Sequence, residues 1–477
     1  MMRIGSLING VEVLGGGRQA HDIRSPYNGE VVGVVEYGSR EDVERAVETA
    51  HRVFHETMKT MPAHQRSEIL RRSADRLEAQ LEDFATVLVG EAGKPIRDAQ
   101  AEVGRAVQLL RFTSEEAKAN NGELIKVDSA AGGENRIGFA KRYPIGVVAA
   151  ITPFNFPLNL VLHKVATAFA AGCTVVLKPA EKTPLSAMKL AKLLEEAGFP
   201  KGALNVVNGT GVDLVEPLVT HPLVKKVTFT GSGPVGWKIK DMAGPRKVTL
   251  ELGSNSPNIV LNDANLELAV ASIVRGGFAF SGQACISVQR VYVQRDVYAQ
   301  VLELLVPKVA ALRAGDPALE TTDIGPMISE QAASRAEEWI REAADQGATI
   351  LTGGERNGNI ISPTVLADTK HDMKVVCQEV FAPLITVIPF DSEAEAVAAA
   401  NDSDYGLQAG LFTTDINRAF RVADMLETGG VWINDVSTFR TDHIPYGGVK
   451  MSGVGKEGVK YAIEDMTETK FIGIRLY

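Results

Sequence analysis

Three side chains in the middle of the chain have types that suit covalent chemistry on a carbonyl group. Cys285 ends the phrase Gly-Gln-Ala-Cys, Glu251 lies in Leu-Glu-Leu-Gly, and Asn155 lies in Pro-Phe-Asn-Phe-Pro. A cysteine thiolate is a nucleophile, a carboxylate can act as a general base, and an amide N–H can stabilise an oxyanion. The small residues before Cys285 would let a substrate approach closely. These residue types together predict catalysis through a covalent cysteine intermediate.

The other two cysteines give no such indication. Cys173, Cys285 and Cys377 are far apart and odd in number, which predicts neither a disulfide framework nor a metal-ligand cluster. A lone cysteine is more often a small buried hydrophobe than a nucleophile. That interpretation is favoured for Cys173 and Cys377, because they lack the setting of Cys285. We therefore expect no metal site, and a reducing cytoplasm as the location.

A second group of residues suits a dinucleotide. Lys178 and Glu181 follow a predicted strand in the phrase Leu-Lys-Pro-Ala-Glu, at the crevice where open α/β sheets bind ligands. Residues 231–236 match the pattern G-x-G-x-x-G after a second predicted strand, which would bring backbone N–H groups toward a pyrophosphate. That string alone is weak evidence. The alternative for Lys178 and Glu181 is a surface pair beside a proline-rich turn.

The four phrases, in this order, resemble the aldehyde dehydrogenase superfamily, and the resemblance covers almost the whole chain. It extends from Ser-Pro-Tyr-Asn-Gly at 25–29 to Tyr-Gly-Gly-Val-Lys at 446–450. It implies an α/β fold with two doubly wound parallel-sheet domains and a small β oligomerisation domain, assembled as a homodimer or homotetramer. The implied division is an NAD-binding domain at 1–120 and 144–249, a catalytic domain at 250–435, and bridging segments at 121–143 and 436–477.

The resemblance also implies a mechanism. Cys285 would attack an aldehyde to give a thiohemiacetal, whose oxyanion is held by the Asn155 amide and the Cys285 backbone N–H. Hydride transfer to a nicotinamide would leave a thioester, and water activated by Glu251 would release the carboxylate. Two alternatives remain open. They are an acylating dehydrogenase that transfers the acyl group to coenzyme A, in which this acid is commonly absent, and a non-catalytic structural or binding protein on the same scaffold.

The cofactor is predicted to be NAD, with NADP possible. A carboxylate at Glu181 would bond a free 2′-hydroxyl and repel a 2′-phosphate. The resemblance places Glu379 on the nicotinamide ribose and Phe381 beside the ring, although Ala382 stands where Gly is more usual. The predicted cofactor-binding residues are Thr152, Pro153, Lys178, Glu181, Gly211, Thr230, Gly231, Ser232, Leu252, Glu379 and Phe381.

Three basic residues bear on the substrate. By motif alignment, Arg105, His163 and Arg440 fall at positions where relatives often have apolar or aromatic tunnel residues. Arginine offers a planar fork for a carboxylate, phosphate, phosphonate or sulfonate, so a small polar or anionic aldehyde is predicted. The alternative is that these side chains face solvent or pair with nearby acids. The segment 439–446 resembles branches that oxidise lactaldehyde, phosphonoacetaldehyde or glyceraldehyde 3-phosphate; succinate semialdehyde and sulfonated aldehydes stay open.

Composition and periodicity indicate how these residues are positioned. The 477 residues are 45% hydrophobic and 23% charged, with a net charge of −9, which argues against nucleic acid and membranes as partners. The sequence has no uninterrupted apolar run of about 18 residues, so no membrane span is predicted. Helical spacing dominates 41–119, with Ser39 as a predicted N-cap. From 145 onward, short β-branched or apolar runs such as 147–151 alternate with amphipathic helices, which predicts a parallel sheet. A second such series follows from 250 to 435, with predicted strands near 258–261, 288–294, 385–389 and 430–433.

Overall fold

The computed structural model describes residues 2–119 and 122–477, so predicted boundaries at 1, 120 and 121 lie outside the described residues. The strands, numbered along the chain, are β1 (Met2–Ile4), β2 (Ser6–Ile8), β3 (Val11–Val13), β4 (Ala20–Arg24), β5 (Val31–Glu36), β6 (Glu123–Ile125), β7 (Arg136–Pro144), β8 (Val147–Ile151), β9 (Thr174–Lys178), β10 (Leu204–Val206), β11 (Val224–Thr230), β12 (Lys247–Glu251), β13 (Pro257–Val260), β14 (Arg290–Gln294), β15 (Thr349–Thr352), β16 (Arg356–Asn357), β17 (Ile360–Ile361), β18 (Thr364–Ala367), β19 (Leu384–Phe390), β20 (Tyr405–Gly406), β21 (Gln408–Phe412), β22 (Gly430–Ile433), β23 (Val449–Lys450), β24 (Gly453–Val454) and β25 (Thr467–Arg475). The α-helices are α1 (Arg40–Glu56), α2 (Ala63–Glu78), α3 (Leu81–Ala92), α4 (Ile96–Glu116), α5 (Asn159–Ala171), α6 (Pro184–Ala197), α7 (Gly211–Thr220), α8 (Gly233–Ala243), α9 (Leu266–Phe278), α10 (Arg295–Ala310), α11 (Glu330–Asp345), α12 (Lys374–Cys377), α13 (Glu393–Asn401), α14 (Ile416–Met425) and α15 (Val459–Asp465).

An eight-stranded sheet is built in the order β24-β12-β11-β8-β9-β10-β2-β3. Strands β8 to β12 run parallel to one another, while β2, β3 and β24 add antiparallel pairings at the two ends. Strands β8 and β9 are buried along their whole length, as expected for parallel strands covered by helices on both faces. The predicted alternation of strands and helices after residue 145 is therefore present.

A seven-stranded sheet follows in the order β15-β18-β19-β14-β13-β21-β22. All its pairings are parallel except that of β15 with β18. The predicted strand at 430–433 coincides with β22, and the predicted strands at 258–261 and 385–389 overlap β13 and β19. The second α/β series is thus also present.

A third, antiparallel sheet has the order β25-β7-β6. Its long pairing runs from Thr467 opposite Pro144 to Arg475 opposite Arg136. Within the predicted bridging segment 436–477, only β25 joins this sheet, because β24 pairs with β12 instead. The division of the chain into domains stays a prediction.

The helices before residue 120 support the first sheet. Helix α1 begins after Ser39, whose hydroxyl accepts the backbone N–H of Asp42 while the Asp42 carboxylate accepts the Ser39 N–H, which confirms the predicted cap. Helix α4 packs against α2, α3 and α5. None of the helices in the described residues is long and apolar enough to cross a membrane.

Candidate active site

The carboxyl ends of four neighbouring parallel strands meet at one edge of the eight-stranded sheet. Ile151 at the end of β8 is opposite Lys178 at the end of β9, and Thr230 at the end of β11 is opposite Glu251 at the end of β12. Because parallel strands all end at the same edge, the segments that follow them converge there. The predicted residues Thr152 to Asn155, Lys178 to Glu181, Thr230 to Ser232 and Glu251 to Leu252 therefore lie along one edge.

A cavity of about 420 Å³ opens at this edge. Ten of the predicted residues line it, namely Pro153, Asn155, Thr230, Gly231, Ser232, Glu251, Leu252, Cys285, Glu379 and Phe381. The remaining cofactor candidates, Thr152, Lys178, Glu181 and Gly211, and the three basic candidates are not on its walls. The structure thus brings the nucleophile, base and amide candidates together with the nicotinamide-side candidates.

Cys285 follows a turn with an unusual backbone. Phe280, Ser281 and Gly282 have φ angles of 45°, 54° and 69°, all in the left-handed region. Such a conformation is strained in residues other than glycine and persists only where the surroundings hold it. At Gly282 a side chain is also excluded by space, because a Cβ atom would lie 2.1 Å from the carbonyl oxygen of Ala382. The small residues before Cys285 are therefore needed for the path of the chain.

The side chain of Gln283 holds this turn against a neighbouring segment. Its Nε2 donates to the carbonyl oxygens of Phe280 (3.4 Å) and Pro326 (3.3 Å), and its Oε1 accepts the N–H of Ile328 (2.9 Å). The Ser281 hydroxyl donates to the carbonyl oxygen of Gly325 at 2.8 Å. Both sides of the turn are thereby attached to residues 325–328, which precede α11.

The thiol of Cys285 is half-buried and lies 3.1 Å from the hydroxyl oxygen of Tyr446. Burial raises the pKa of this thiol to about 11, while the hydrogen bond to Tyr446 and the charge of Arg440 act in the opposite direction. The thiol is therefore protonated at neutral pH in this state. Its use as a nucleophile requires a base to accept the proton.

Asn155 is buried directly beside the cysteine turn. Its Nδ2 donates to the carbonyl oxygen of Gln283 at 3.0 Å, and its Oδ1 accepts the N–H of Phe156 at 3.1 Å. Since an amide nitrogen has two N–H donors, one of them is left to bind an oxyanion formed at the neighbouring Cys285.

Glu251 is a buried carboxylate without a partner. It is 2% exposed, and neither carboxylate oxygen has a hydrogen-bond partner within residues 2–119 and 122–477. Burial, and secondly the negative charge of Glu457, raise the pKa of Glu251 well above its ordinary value. A Cβ atom on Gly447 would lie 2.9 Å from Oε1, so glycine there leaves room for the carboxylate. A buried carboxylate with these properties suits a general base that takes a proton from water or a thiol.

Glu379 and Phe381 also line the cavity. The Glu379 carboxylate accepts the N–H of Ser254 at 3.1 Å, and burial raises its pKa to about 7. It lies over Gly253, where a Cβ atom would approach within 2.3 Å of its Oε2. Phe381 has a φ of 54° and packs edge-to-face on Phe154, with ring centroids 6.0 Å apart. The wall thus combines an aromatic face and a carboxylate, which fits a nicotinamide riboside.

The other cofactor candidates lie at the carboxyl end of β9. The Lys178 ammonium is buried, 3.5 Å from Oε1 of the exposed Glu181 carboxylate, and burial lowers the pKa of Lys178. The backbone N–H of Gly211, the first residue of α7, donates to the same Glu181 oxygen at 2.6 Å. A donor and an acceptor side by side suit the two hydroxyls of a ribose. These residues therefore fit an adenosine ribose at this edge.

The three basic candidates meet around one acid that the sequence did not single out, Asp442. Its Oδ1 accepts from Arg105 at 2.8 Å and lies 2.9 Å from Nε2 of His163 and 3.8 Å from Nε of Arg440. Arg440 also contacts Nε2 of His163 at 3.0 Å. The structure brings the three residues together away from the cavity walls, in the acid pairing that was the alternative, and their contact with a substrate stays a prediction.

A second acid, Glu457, completes this cluster. It accepts from Lys164 at 2.7 Å and from Arg440 at 3.4 Å, and all three side chains are buried. The guanidinium of Arg440 stacks 3.6 Å from the ring centroid of Tyr446. Through Tyr446 the cluster thus reaches the thiol of Cys285, 3.1 Å beyond.

The pKa shifts in the cluster follow from its charges. The hydrogen bond from His163 and the charges of Arg105 and Arg440 hold the pKa of Asp442 far below its usual range, and the charge of Lys164 lowers that of Glu457. Burial lowers the pKa of His163, so its imidazole is neutral at pH 7. The cluster therefore holds three cations, Arg105, Lys164 and Arg440, and two carboxylates.

Comparison with known proteins shows the family of this chain. Residues 14–472 match the model of the aldehyde dehydrogenase family. The chain belongs to the aldehyde dehydrogenase family. It is 48% identical over 455 residues to a 3-sulfolactaldehyde dehydrogenase of Priestia aryabhattai, covering 95% of each chain. Membership confirms the predicted fold class and the predicted enzyme class, an oxidoreductase that acts on aldehydes.

Two solved aldehyde dehydrogenases are similar over nearly their whole length. Aldehyde dehydrogenase 21 of Physcomitrella patens, in complex with the reaction product succinate, has a TM-score of 0.97 and 39% identity, covering 99% of this chain and 98% of that one. The NADP-dependent glyceraldehyde-3-phosphate dehydrogenase of Bacillus halodurans, complexed with NADP, has a TM-score of 0.97 and 38% identity, covering 100% of both chains.

Several residues of this aldehyde dehydrogenase site were not identified from the sequence. They are Lys164, Asp442, Tyr446 and Glu457. Asp442 and Tyr446 lie in the same phrase as Arg440, and an acid two residues from a suspected anion-binding arginine is a usable signal. Lys164 and Glu457 are 293 residues apart and meet only in the fold, so no local pattern announces their pairing.

Proposed function

We propose that the enzyme oxidises a small aldehyde with an anionic tail to the corresponding carboxylate, using NAD, through a thioester on Cys285. The observation that carries this proposal is the buried, unpartnered carboxylate of Glu251 on the same cavity as the Cys285 thiol. Burying a carboxylate without a hydrogen-bond partner costs folding free energy. Buried bases with raised pKa values are typical of active sites, where such a cost is accepted for catalysis. An acid in that place serves proton transfer to the reacting groups.

The first step belongs to Cys285. Glu251, whose pKa is raised by burial, accepts the thiol proton, and the thiolate attacks the aldehyde carbon. The carbonyl oxygen becomes an oxyanion, which the free N–H of Asn155 and the backbone N–H of Cys285 stabilise. Because Asn155 is already held by Gln283, this donor requires little reorganisation.

The cofactor is held by residues that are already in place. Lys178 and Glu181 would bind the adenosine ribose, the amides of Ser232 and Gly233 the pyrophosphate, and Glu379 with Phe381 the nicotinamide riboside. When bound, the nicotinamide supplies the hydride acceptor that converts the thiohemiacetal on Cys285 into a thioester. The comparisons confirm NAD(P) as the cofactor class; the preference for NAD rests on the Glu181 carboxylate and stays a prediction.

Hydrolysis is assigned to Glu251. After the thiol proton has passed from Glu251 to solvent, the Glu251 carboxylate takes a proton from water, and the oxygen of that water attacks the thioester carbon. The C–S bond then breaks, which releases the carboxylic acid, and Glu251 returns the proton to the Cys285 thiolate. The position of Glu251 favours this outcome over transfer to coenzyme A, because it lines the same cavity as Cys285 and can activate water there. Turnover without coenzyme A distinguishes the two reactions.

The anionic tail is proposed from the basic cluster and from the relatives. While Glu251 is protonated, Arg105, Lys164 and Arg440 exceed Asp442 and Glu457 by one charge, so the cluster is then cationic beside Cys285. The names of similar enzymes refer to a sulfonated aldehyde, a phosphorylated aldehyde and the product succinate, all of which carry an anion. Lactaldehyde, named for other relatives, is hydroxylated but neutral, and it is the contrast that tests the proposal.

The experiment compares kcat/KM values, measured from NADH absorbance, for a panel of aldehydes. The panel is 3-sulfolactaldehyde, glyceraldehyde 3-phosphate, phosphonoacetaldehyde, succinate semialdehyde, lactaldehyde and propanal. We expect the anionic aldehydes to exceed propanal by at least about tenfold, the value of one charge-assisted contact. A preference for propanal over every anionic aldehyde would reject the anionic substrate and keep the dehydrogenase.

The assembly of the enzyme is proposed from the exposed side chains and edge of the three-stranded sheet. The three-stranded sheet exposes Leu124, Phe471 and Ile474, of which Leu124 is 82% exposed, and its outer strand β6 has a free edge. Exposed strand edges tend to be covered by another chain, so we expect a homodimer or homotetramer by light scattering at micromolar concentration. A cytoplasmic location stays a prediction from cysteine usage.

A further inference from the structure

The start of helix α4 contacts both halves of the active site. Asp98 and Glu102 are one turn apart on α4 and therefore share a face. Lys94 lies two residues before the helix begins. None of the three lines the cavity, and the steps of the proposed reaction do not use them.

Lys94 is completely buried and is tied to the Asn155 segment. Its ammonium group forms an ion pair with Glu102 and donates to the carbonyl oxygen of Asn155 at 2.7 Å. The same ammonium lies 4.0 Å from the ring centroid of Phe156 and 4.4 Å from that of Phe280. One cation therefore touches the residue that offers the oxyanion amide and the strained turn before Cys285.

Glu102 holds the next part of the Asn155 segment. Its Oε1 accepts the backbone N–H groups of Leu158 at 3.0 Å and Asn159 at 3.2 Å, where α5 begins. Those N–H groups have no partner inside the helix, so the carboxylate satisfies them. The position of Asn155 is thus set from both sides, by Lys94 on its carbonyl and by Glu102 three residues later.

Asp98 holds the other half. Its Oδ2 accepts the N–H of Phe280 at 2.8 Å, at the first of the three left-handed residues. The strained turn needs such contacts to persist. A single helix face therefore fixes the turn that leads to Cys285 and the segment that carries Asn155.

We propose that Lys94, Asp98 and Glu102 are positioning residues that hold the Cys285 turn and the Asn155 amide in register with each other. The inference rests on the proposed function, in which both groups act on one carbonyl. A buried ion pair is weak evidence for stability, since apolar side chains of similar size often replace one without loss. Its contacts to two active-site segments give it a role that apolar packing would not supply.

The main test compares two variants, each of which breaks an ion pair that a buried lysine forms. K94M/E102Q removes both charges beside the site and leaves an oxygen to accept the α5 amides. K226M removes a lysine that is equally buried and pairs with Asp465, away from the cavity, and is the matched control. We expect kcat to fall roughly 10–100-fold in K94M/E102Q, because small misplacements of reacting groups cost that much. The dissociation constant for NAD should stay unchanged, as should kcat in K226M.

A second arm separates positioning from folding and does not depend on turnover. Asp98→Ala removes the acceptor for the Phe280 N–H, whereas Asp98→Asn keeps an acceptor oxygen. Alkylation of Cys285 by iodoacetamide, measured by peptide mass spectrometry relative to Cys377 in the same sample, reports the state of the turn. We expect Asp98→Ala to accelerate the alkylation of Cys285 several-fold and to lower kcat, and Asp98→Asn to restore both.

The outcomes are distinguishable. Folded K94M/E102Q and Asp98→Ala with wild-type kcat and a wild-type alkylation ratio would overturn the proposal. Lower melting temperatures with unchanged kcat would also overturn it, because they indicate a purely structural role. If K94M/E102Q does not fold, the two Asp98 variants decide. If the wild type oxidises no aldehyde, the proposed function fails, and the alkylation arm still tests the positioning role.

Discussion

The two sides of the active site differ in how their charged groups are partnered. On the cavity side, the Glu251 carboxylate is buried with no hydrogen-bond partner among the described residues. In the cluster around Asp442 and Glu457, Arg105 already donates to Asp442 and Arg440 to Glu457. An unpartnered buried group indicates a use in chemistry, because the cost of burying it is otherwise not offset. A partnered charge is a weaker guide, since it is satisfied whether or not a substrate is bound.

The largest effect is expected at the nucleophile. Cys285→Ala should lower kcat by roughly 10⁴–10⁶-fold, because no covalent intermediate can form and residues that act as a unit lose nearly all rate when one is removed. NADH absorbance with the best aldehyde of the panel measures it. Cys173→Ala is the control, since this buried cysteine is distant in the chain and its pKa is raised by burial alone to about 11. Normal turnover by Cys285→Ala would sink the mechanism.

The next effect is expected at Glu251. Glu251→Gln should lower steady-state kcat by about 10²–10⁴-fold, the usual contribution of a general base. Because Glu251 also takes the thiol proton in the proposed mechanism, the single-turnover burst of NADH should slow as well, whereas an unchanged burst would restrict Glu251 to hydrolysis. Stopped-flow absorbance separates these two results.

The pH dependence sharpens the assignment of Glu251. Because burial and Glu457 raise the pKa of Glu251, a larger part of the carboxyl is protonated at neutral pH than for an ordinary glutamate. Wild-type kcat should therefore increase with pH as the active carboxylate forms, at pH values above those at which an ordinary glutamate titrates. In Glu251→Gln the group is absent, so the hydrolytic rate should lose this rise. An identical pH profile in the two enzymes would contradict the assignment.

The features that could be predicted from the sequence are those that have a local signal. The strands at 147–151 and 430–433 and the cap at Ser39 follow from local patterns, because short β-branched runs and a capping box are local signals. Cys285, Glu251 and Asn155 were found because each lies in a distinctive phrase, and the structure places them on one cavity. The pairing of Lys164 with Glu457, and the contact of Lys94 with Asn155, join distant parts of the chain and required the fold.

Arg440 tests whether the partnered side still recognises substrate. Arg440→Ala should lower kcat/KM for the preferred anionic aldehyde by roughly 10–150-fold, if one charge-assisted contact of about 1.5–3 kcal/mol is lost. Propanal should be affected little. Because Arg440 also stacks on Tyr446 beside Cys285, a second variant, Arg105→Ala, provides the comparison: its guanidinium contacts Asp442 but not Tyr446. Equal losses for both aldehydes in both variants would assign a structural role to the cluster.

The smallest effect is expected at the far end of the cofactor site. Glu181 is exposed and accepts a single backbone N–H, from Gly211, so its replacement should leave the fold intact. Glu181→Thr removes a negative charge that would face a 2′-phosphate, and it also removes an acceptor for the 2′-hydroxyl of NAD. The ratio of kcat/KM for NADP to that for NAD should therefore rise by about 2–10-fold, the value of one hydrogen bond. Glu196→Thr, at an exposed position of α6, is the matched control and should leave the ratio unchanged. The relative of known structure from Bacillus halodurans binds NADP, which makes the wild-type ratio itself informative. A higher kcat/KM for NADP in the wild type would show that the Glu181 carboxylate, held by the first N–H of α7, does not exclude the phosphate.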